Sequence, residues 1–193
     1  MFSLKNISPS ITDLIRFDHS HVMLTSHQYV VTKRAAVKKA LAETICDALE
    51  IHATLEQETF YPALRQLGMG GAALEKSVPE HHEMRTLIAS IRKADPATPH
   101  YDQLVSELMR DVMHHVADEE TIWLPEAERM LGKTRLNELG ILMNKRRPQL
   151  LAPKAGKVAM NTVVGFSSST AALLLSAVSA LLVGRLLTKK KLT

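Results

Sequence analysis

The stretch His52-Ala-Thr-Leu-Glu56, followed by Gln57-Glu58-Thr59-Phe60-Tyr61-Pro62, returns as His115-Val-Ala-Asp-Glu119, followed by Glu120-Thr121-Ile122-Trp123-Leu124-Pro125. Both copies read His-x3-Glu-x5-Pro with an apolar residue before the proline, and all three anchors shift by 63 positions. Residues four apart on a helix share a face, with Cβ atoms roughly 5–6 Å apart. Each copy therefore aims an imidazole and a carboxylate at one point. Two such helices facing across a bundle supply two His and two Glu to one interior site, as in carboxylate-bridged dinuclear metal sites. Chance alone gives about 0.6 His-x3-Glu pairs in 193 residues with 9 His and 13 Glu. One pair would mean little; two with proline at the same offset mean more.

Outward from these copies the chain reads as helices. Ser10-Ile11-Thr12-Asp13 is a capping box with Asp in place of Glu or Gln. Ile11, Leu14, Ile15, Val22 and Met23 then keep one helical face, and His19 falls on it. His21 and His27 read as surface or helix-end residues. The second helix is expected over residues 33–65, with Ala35, Val37, Leu41, Ile45, Leu49, His52, Glu56 and Phe60 in one stripe. No Gly or Pro marks the turn before it, which is placed near residues 28–32. A polar pair inside an apolar stripe is costly unless it is paired or bound to metal.

Gly68, Gly70 and Gly71 break the chain, and a third helix is expected over residues 73–93 with Leu74, Val78, Met84, Leu87, Ile88 and Ile91 inward. Its doublet His81-His82 poses a choice. The 63-residue shift maps His19 onto His82, whereas helical phase selects His81, which is preferred with His82 as the fallback. Thr98-Pro99 opens a fourth helix whose face is Leu104, Val105, Leu108, Val112, His115, Glu119 and Ile122. His114 and Asp118 read as a surface pair, and Glu58 and Glu120, second carboxylates near each copy, as residues that back the ligands or face solvent.

With these motifs the sequence resembles hemerythrin-like proteins of the HHE cation-binding type. The resemblance covers roughly residues 10–130 and rests on a set of features. These are a His on the first helix, His-x3-Glu on the second, a His on the third and His-x3-Glu-Glu on the fourth, with a proline ending after both carboxylate helices. The third-helix pattern fits His81 through Met84, Leu87, Ile88 and Ile91. It implies an all-α, up-down four-helix bundle holding two irons, with His19, His52, Glu56, His81, His115 and Glu119 as the ligands. Imidazole and carboxylate without thiolate suit iron, manganese or zinc, and six protein ligands leave positions open to O₂, NO or peroxide. The expectation is a protein that binds or senses such a ligand. Its alternatives are a redox enzyme of oxidative or nitrosative stress, which consumes peroxide or NO or repairs iron centres, and an iron-handling or structural metal-binding adaptor.

Composition agrees with a bundle. Aromatics are 4% and Met numbers 9, a mixture that favours Ala/Leu/Met-rich helices over strands. Cys46 stands alone, which excludes a disulfide framework and a thiolate cage. No Ser-His-Asp order, phosphate loop or nucleotide fingerprint occurs. Residues 1–6 offer no apolar core of a signal peptide, so the bundle is expected in the cytoplasm.

The net charge of +4 hides an asymmetry. Residues 1–132 carry 13 Lys/Arg against 19 Asp/Glu, and residues 133–193 carry 11 Lys/Arg against Glu138 alone. A basic tail on an acidic body points to nucleic acid or an anionic membrane surface. Within it, 27 residues from 158 to 184 lack charge, more than the ~20 that span a bilayer, which favours the membrane and argues against nucleic acid. The sequence thus divides into a bundle over 10–131, a basic helix and linker over 132–157, and a C-terminal transmembrane or membrane-associated helix over 158–187. An interfacial or self-associating helix is the rival for that last segment.

Overall fold

Ser10 starts the first helix as its sequence predicts. Asp13 N–H donates to Ser10 Oγ at 3.1 Å while Ser10 N–H donates to Asp13 Oδ2 at 3.0 Å, so two otherwise orphaned donors are satisfied reciprocally. A computed structural model describes residues 9–69 and 72–166, and among them there is no strand. Helix α1 (Ile11–Val31) is followed by α2 (Ala35–Leu55), a five-residue π turn (Glu56–Phe60) and α3 (Tyr61–Gln66). Next come α4 (Ala72–Lys93), α5 (Pro99–Asp118), a second π turn (Glu119–Trp123) and α6 (Leu124–Leu151). A short 3₁₀ turn (Ala152–Lys154) leads into α7 (Ala155–Gly165). The all-α bundle expected from the sequence is the architecture.

The first turn falls on residues 32–34, later than expected, and Tyr29 supplies the reason. It is buried, and its hydroxyl donates to Asp102 Oδ1 at 2.5 Å, where Lys38 of α2 also pairs at 2.6 Å. The helix must run past Tyr29 to make that tie.

Both π turns begin at the Glu of a repeated motif and end just before the residue that precedes its proline. Proline has no N–H and its ring clashes with the carbonyl four residues back. One extra residue per turn moves that carbonyl aside, and the preceding N–H reaches five residues back instead. Tyr61 donates to Glu56 O, and Leu124 to Glu119 O. The insertion shifts helical phase, which overturns one expectation: Ile122 is half exposed, while Leu124 is buried. On α4, Ser77 takes the inward place four residues before His81, and Val78 turns outward.

The fourth bundle helix ends at Gly132, whose φ of +68° breaks the helical path. That left-handed conformation carries a steric cost for any side chain but glycine's. Beyond it the chain folds back onto the bundle. Leu136, Leu139 and Met143 join Ile11, Ile15, Leu55, Phe60, Leu64 and Leu124 in one apolar cluster. A second cluster gathers Val22, Leu41, Ile45, Leu49, Met84, Ile88, Val105, Leu108 and Val112, and Phe166 is buried in it. Gly140 lets the extension approach the start of α1, because a Cβ there would collide with the Pro9 carbonyl oxygen.

Residues 150–157, the linker end of the expected 132–157 segment, are helical, and Leu150 and Leu151 pack in part on the cluster that holds Leu136 and Met143. Among the described residues no helix is long and apolar enough to cross a membrane. The expected membrane segment begins in α7, which lies against α2 with Gly165 on Leu41. Its residues 167–187 are outside the described residues, as are Gly70, Gly71 and the side chain of Leu74. The tail's positive charge is also partly committed within the chain: Arg146 pairs with Glu58, Arg147 with Asp18, and Lys154 and Lys157 with Asp47.

Replacing Gly140 with Ala is expected to lower stability by about 1–3 kcal/mol through overpacking. Gly156→Ala, with nothing within 4 Å of the added methyl, is expected to hold or raise the melting temperature. Equal melting temperatures for the two variants would show that the extension does not dock as described.

Candidate metal centre

Between the two apolar clusters lies a polar layer. On α1 the chain passes from Ile15 in one cluster to Val22 in the other, with His19 between. On α2 and the π turn after it, the chain passes from Leu49 through His52 to Leu55 and Phe60. His19, His52, Glu56, His81, His115 and Glu119 are all buried, none more than 4% exposed. Their ligand-type atoms fall into two groups, His19, His52, Glu56 and Glu119, and Glu56, His81 and His115, each with its atoms within 4.8 Å of one another.

All four rings turn Nε2 inward. His52 Nε2 lies 3.2 Å and His81 Nε2 3.5 Å from Glu56 Oε2. His19 Nε2 lies 3.3 Å and His115 Nε2 3.6 Å from Glu119 Oε2. Yet among the described residues His19 Nε2, His52 Nε2, Glu56 Oε1 and Glu119 Oε2 have no hydrogen-bond partner. Buried polar atoms in proteins rarely go unpaired, so an orphaned convergent set of N and O donors fits a cation.

The outward Nδ1 atoms have polar partners, arranged with a two-fold repeat. His19 Nδ1 meets Glu120 Oε1 at 2.8 Å, and His81 Nδ1 meets Gln57 Nε2 at 3.5 Å; each partner follows a ligand-type Glu. His52 Nδ1 meets Asp18 Oδ2 at 3.4 Å, and His115 Nδ1 meets Glu80 Oε2 at 2.9 Å; each partner precedes a His of the neighbouring helix. The three carboxylates can accept the Nδ1–H of their rings, which fixes ring orientation and leaves Nε2 free to bind. Gln57, whose Oε1 accepts from Arg85, faces His81 with its amide NH2.

Charge follows the geometry. Burial opposes protonation of His52, but Glu56 and Asp18 outweigh it and raise its pKa. Burial likewise opposes protonation of His115, and Glu119 and Glu80 raise its pKa. His81 is pushed down to about 2 by burial and by His115 and His52, so it is a neutral imidazole.

One residue at the site was not anticipated from sequence. The Tyr61 hydroxyl is within donating reach of Glu56 Oε2 at 3.3 Å and Glu119 Oε1 at 3.4 Å, and its ring stacks on His81 with centroids 5.7 Å apart. Burial and the two carboxylates hold its pKa far above the usual range. An α-helical phase puts Tyr61 off the face of Glu56; the π turn, with i to i+5 bonding, brings it back. The second copy has Leu124 in this place. Glu120 is the outer carboxylate that the sequence allowed, whereas Glu58 points away to Arg146. His82, His21, His27 and His114 are exposed, and Asp118 pairs with Lys76 instead of His114.

A family model, the hemerythrin HHE cation binding domain, matches residues 10–127. A DNA nickase of Nostoc sp. (strain PCC 7120 / SAG 25.82 / UTEX 2576) is 29% identical over 112 residues, 58% of this chain and 32% of the relative. The chain thus spans about a third of that relative's length. No solved structure shows a significant match.

For the doublet, His81→Ala is expected to lose metal and His82→Ala to keep it, read by metal content per chain. Retention by both variants would remove His81 from the ligand set.

Proposed function

The chain belongs to the hemerythrin HHE cation-binding family, and on that premise we propose that it is a di-iron protein that binds or senses O₂, NO or peroxide. The residues that would hold the metal are His19, His52, Glu56, His81, His115 and Glu119. The observation that carries this reading is the convergence of four Nε2 atoms on two buried carboxylates, several of whose atoms have no hydrogen-bond partner. The donor set also suits manganese or zinc. When bound, the metal pair supplies the redox and ligand-binding chemistry.

The chain's own residues set what reaches it. A cavity of about 10 Å³ beside His19, His52 and His115 is walled by Val22, Leu49, Met84 and Val112. That space suits one water-sized molecule and favours a diatomic or peroxide over a larger substrate. Its apolar walls keep bulk water away. Tyr61 keeps its proton and offers it as a hydrogen bond to Glu56 or Glu119.

Tyr61 also favours a second reading, a redox enzyme that consumes peroxide or NO, because its O–H is a hydrogen-bond donor held at the carboxylates. The nickase similarity covers too little of that relative to carry its activity across. A supercoiled-plasmid assay with metal-loaded protein is expected to show no nicking.

Freshly purified protein is expected to contain two irons per chain, with a near-ultraviolet charge-transfer band that changes on exposure to O₂, NO or peroxide. Sustained consumption of peroxide or NO would move the assignment to the enzyme. A metal-free protein, or a spectrum indifferent to all three ligands, would falsify the proposal. Tyr61→Phe is expected to retain both irons but shift the band, since the carboxylates lose their hydrogen-bond donor; an unchanged spectrum would place the phenol outside the site's chemistry.

A further inference from the structure

The two-fold repeat of outer partners breaks at one point. Glu80, which holds His115, is otherwise met, among the described residues, by the exposed Lys76 at 3.6 Å. Asp18, which holds His52, is gripped by Arg147: Nη1 donates to Oδ1 at 2.9 Å and Nη2 to Oδ2 at 2.8 Å. Arg147 lies beyond residue 127, where the family match ends. It belongs to the extension that folds back after Gly132.

We propose that this extension is a working part of the metal centre, with Arg147 as a positioning residue that fixes Asp18 and, through it, the His52 ring. The inference rests on the reading of His52 as a ligand. A carboxylate accepting both arms of a guanidinium has its plane and position set. Asp18 Oδ2 then stands 3.4 Å from His52 Nδ1, on the side of the ring opposite Nε2 and Glu56. Asp18 is largely buried, and among the described residues Arg147 is the one Lys or Arg paired with it. Without Arg147 its charge would lose its partner, and the carboxylate would be free to turn toward solvent.

The rest of the extension is built to hold Arg147 there. Leu136, Leu139 and Met143 anchor the same helix in the apolar cluster, and Gly140 allows the close approach to Pro9 and Ser10. Arg146, the neighbouring residue, makes an equally good bidentate pair with Glu58, at 2.6 and 3.0 Å. Among the described residues Glu58 pairs with Arg146 and with none of the site's outer partners. The two arginines therefore dock the same helix with equal chemistry, but only Arg147 connects to a site histidine.

Full-length Arg147→Ala, Arg147→Lys, Arg146→Ala and Asp18→Ala proteins would be compared with wild type. The readouts are iron retention against a chelator, the near-ultraviolet spectrum of the iron-loaded protein, and the melting temperature of the metal-free protein. Outer-partner changes typically cost 10–100-fold in metal affinity. Arg147→Ala and Asp18→Ala are each expected to weaken retention by about that much and to shift the spectrum alike. Arg147→Lys should restore part of it, and Arg146→Ala should stay within about two-fold of wild type, in the range of a surface pair. The double variant Arg147→Ala/Asp18→Ala should be no worse than Asp18→Ala alone. Equal losses for Arg146→Ala and Arg147→Ala would reduce Arg147 to a docking contact and overturn the inference. So would unaltered retention in Arg147→Ala, or strictly additive losses in the double variant. If wild type itself held no metal, the functional proposal would fail first, an outcome distinct from a wild type that binds iron and an Arg147→Ala that binds it equally.

Discussion

The rest of the structure depends on burying two carboxylates and four imidazoles in one layer. Glu56 and Glu119 are almost wholly removed from water, and an isolated buried carboxylate is among the most costly groups a protein can contain. Four rings close around them, and the charges distribute unevenly. His52 and His115, each backed by an outer acid, gain basicity despite burial. His81, which faces His115 Nε2 at 3.1 Å, cannot share a proton's charge with it and stays neutral. Burial works against the Glu119 anion, but His115, His19 and His52 hold its carboxyl well below the usual range. A layer balanced this way fits only where apolar packing above and below excludes water, which is what the two core clusters provide.

The repeated proline is the second constraint, and it acts through the backbone. Its offset from Glu is the same in both copies because the same device follows each Glu: a π turn whose first residue is the carboxylate. Single π turns inside helices occur often at functional sites. Here the turn brings the residue five places after Glu onto the inner face. In one copy that residue is Tyr61 and in the other Leu124, so a backbone symmetry delivers a phenol to one side of the layer and a hydrocarbon to the other.

Much of this was legible in the sequence. The His-x3-Glu repeat, the α1 cap and the phase of His81 all follow from helix geometry, and the structure brings the six named residues together. The 63-residue shift misled at His82 because loops need not keep the register that motifs keep; Asp18-His19 and Glu80-His81 are spaced by 62. Those acid-His doublets would have selected His81 directly, and they also mark the outer partners. Tyr61 and Ile122 were unreadable from α periodicity, since the π turns change the phase just where the site begins. Arg147 had no local signal at all: its partner Asp18 lies 129 residues away.

Charge composition tells only part of the story, for a related reason. An acidic body and a basic tail read as a protein and its external anionic partner, whereas part of that attraction is spent within the chain. Asp47 is buried at 2% exposure and meets Arg92, Lys154 and Lys157, with Glu43 and Glu50 completing the cluster against the same three cations. Exposed pairs contribute little individually, but a buried carboxylate left without its cations is strongly unfavourable. Asp47 therefore makes the docking of α7 on α2 conditional on its lysines, as Leu136, Leu139 and Met143 make the docking of α6 conditional on apolar cover. The boundary that composition draws near residue 131 is a change in charge and not a break in packing. The bundle borrows part of its core, and the neutrality of its acidic face, from the segment beyond that boundary.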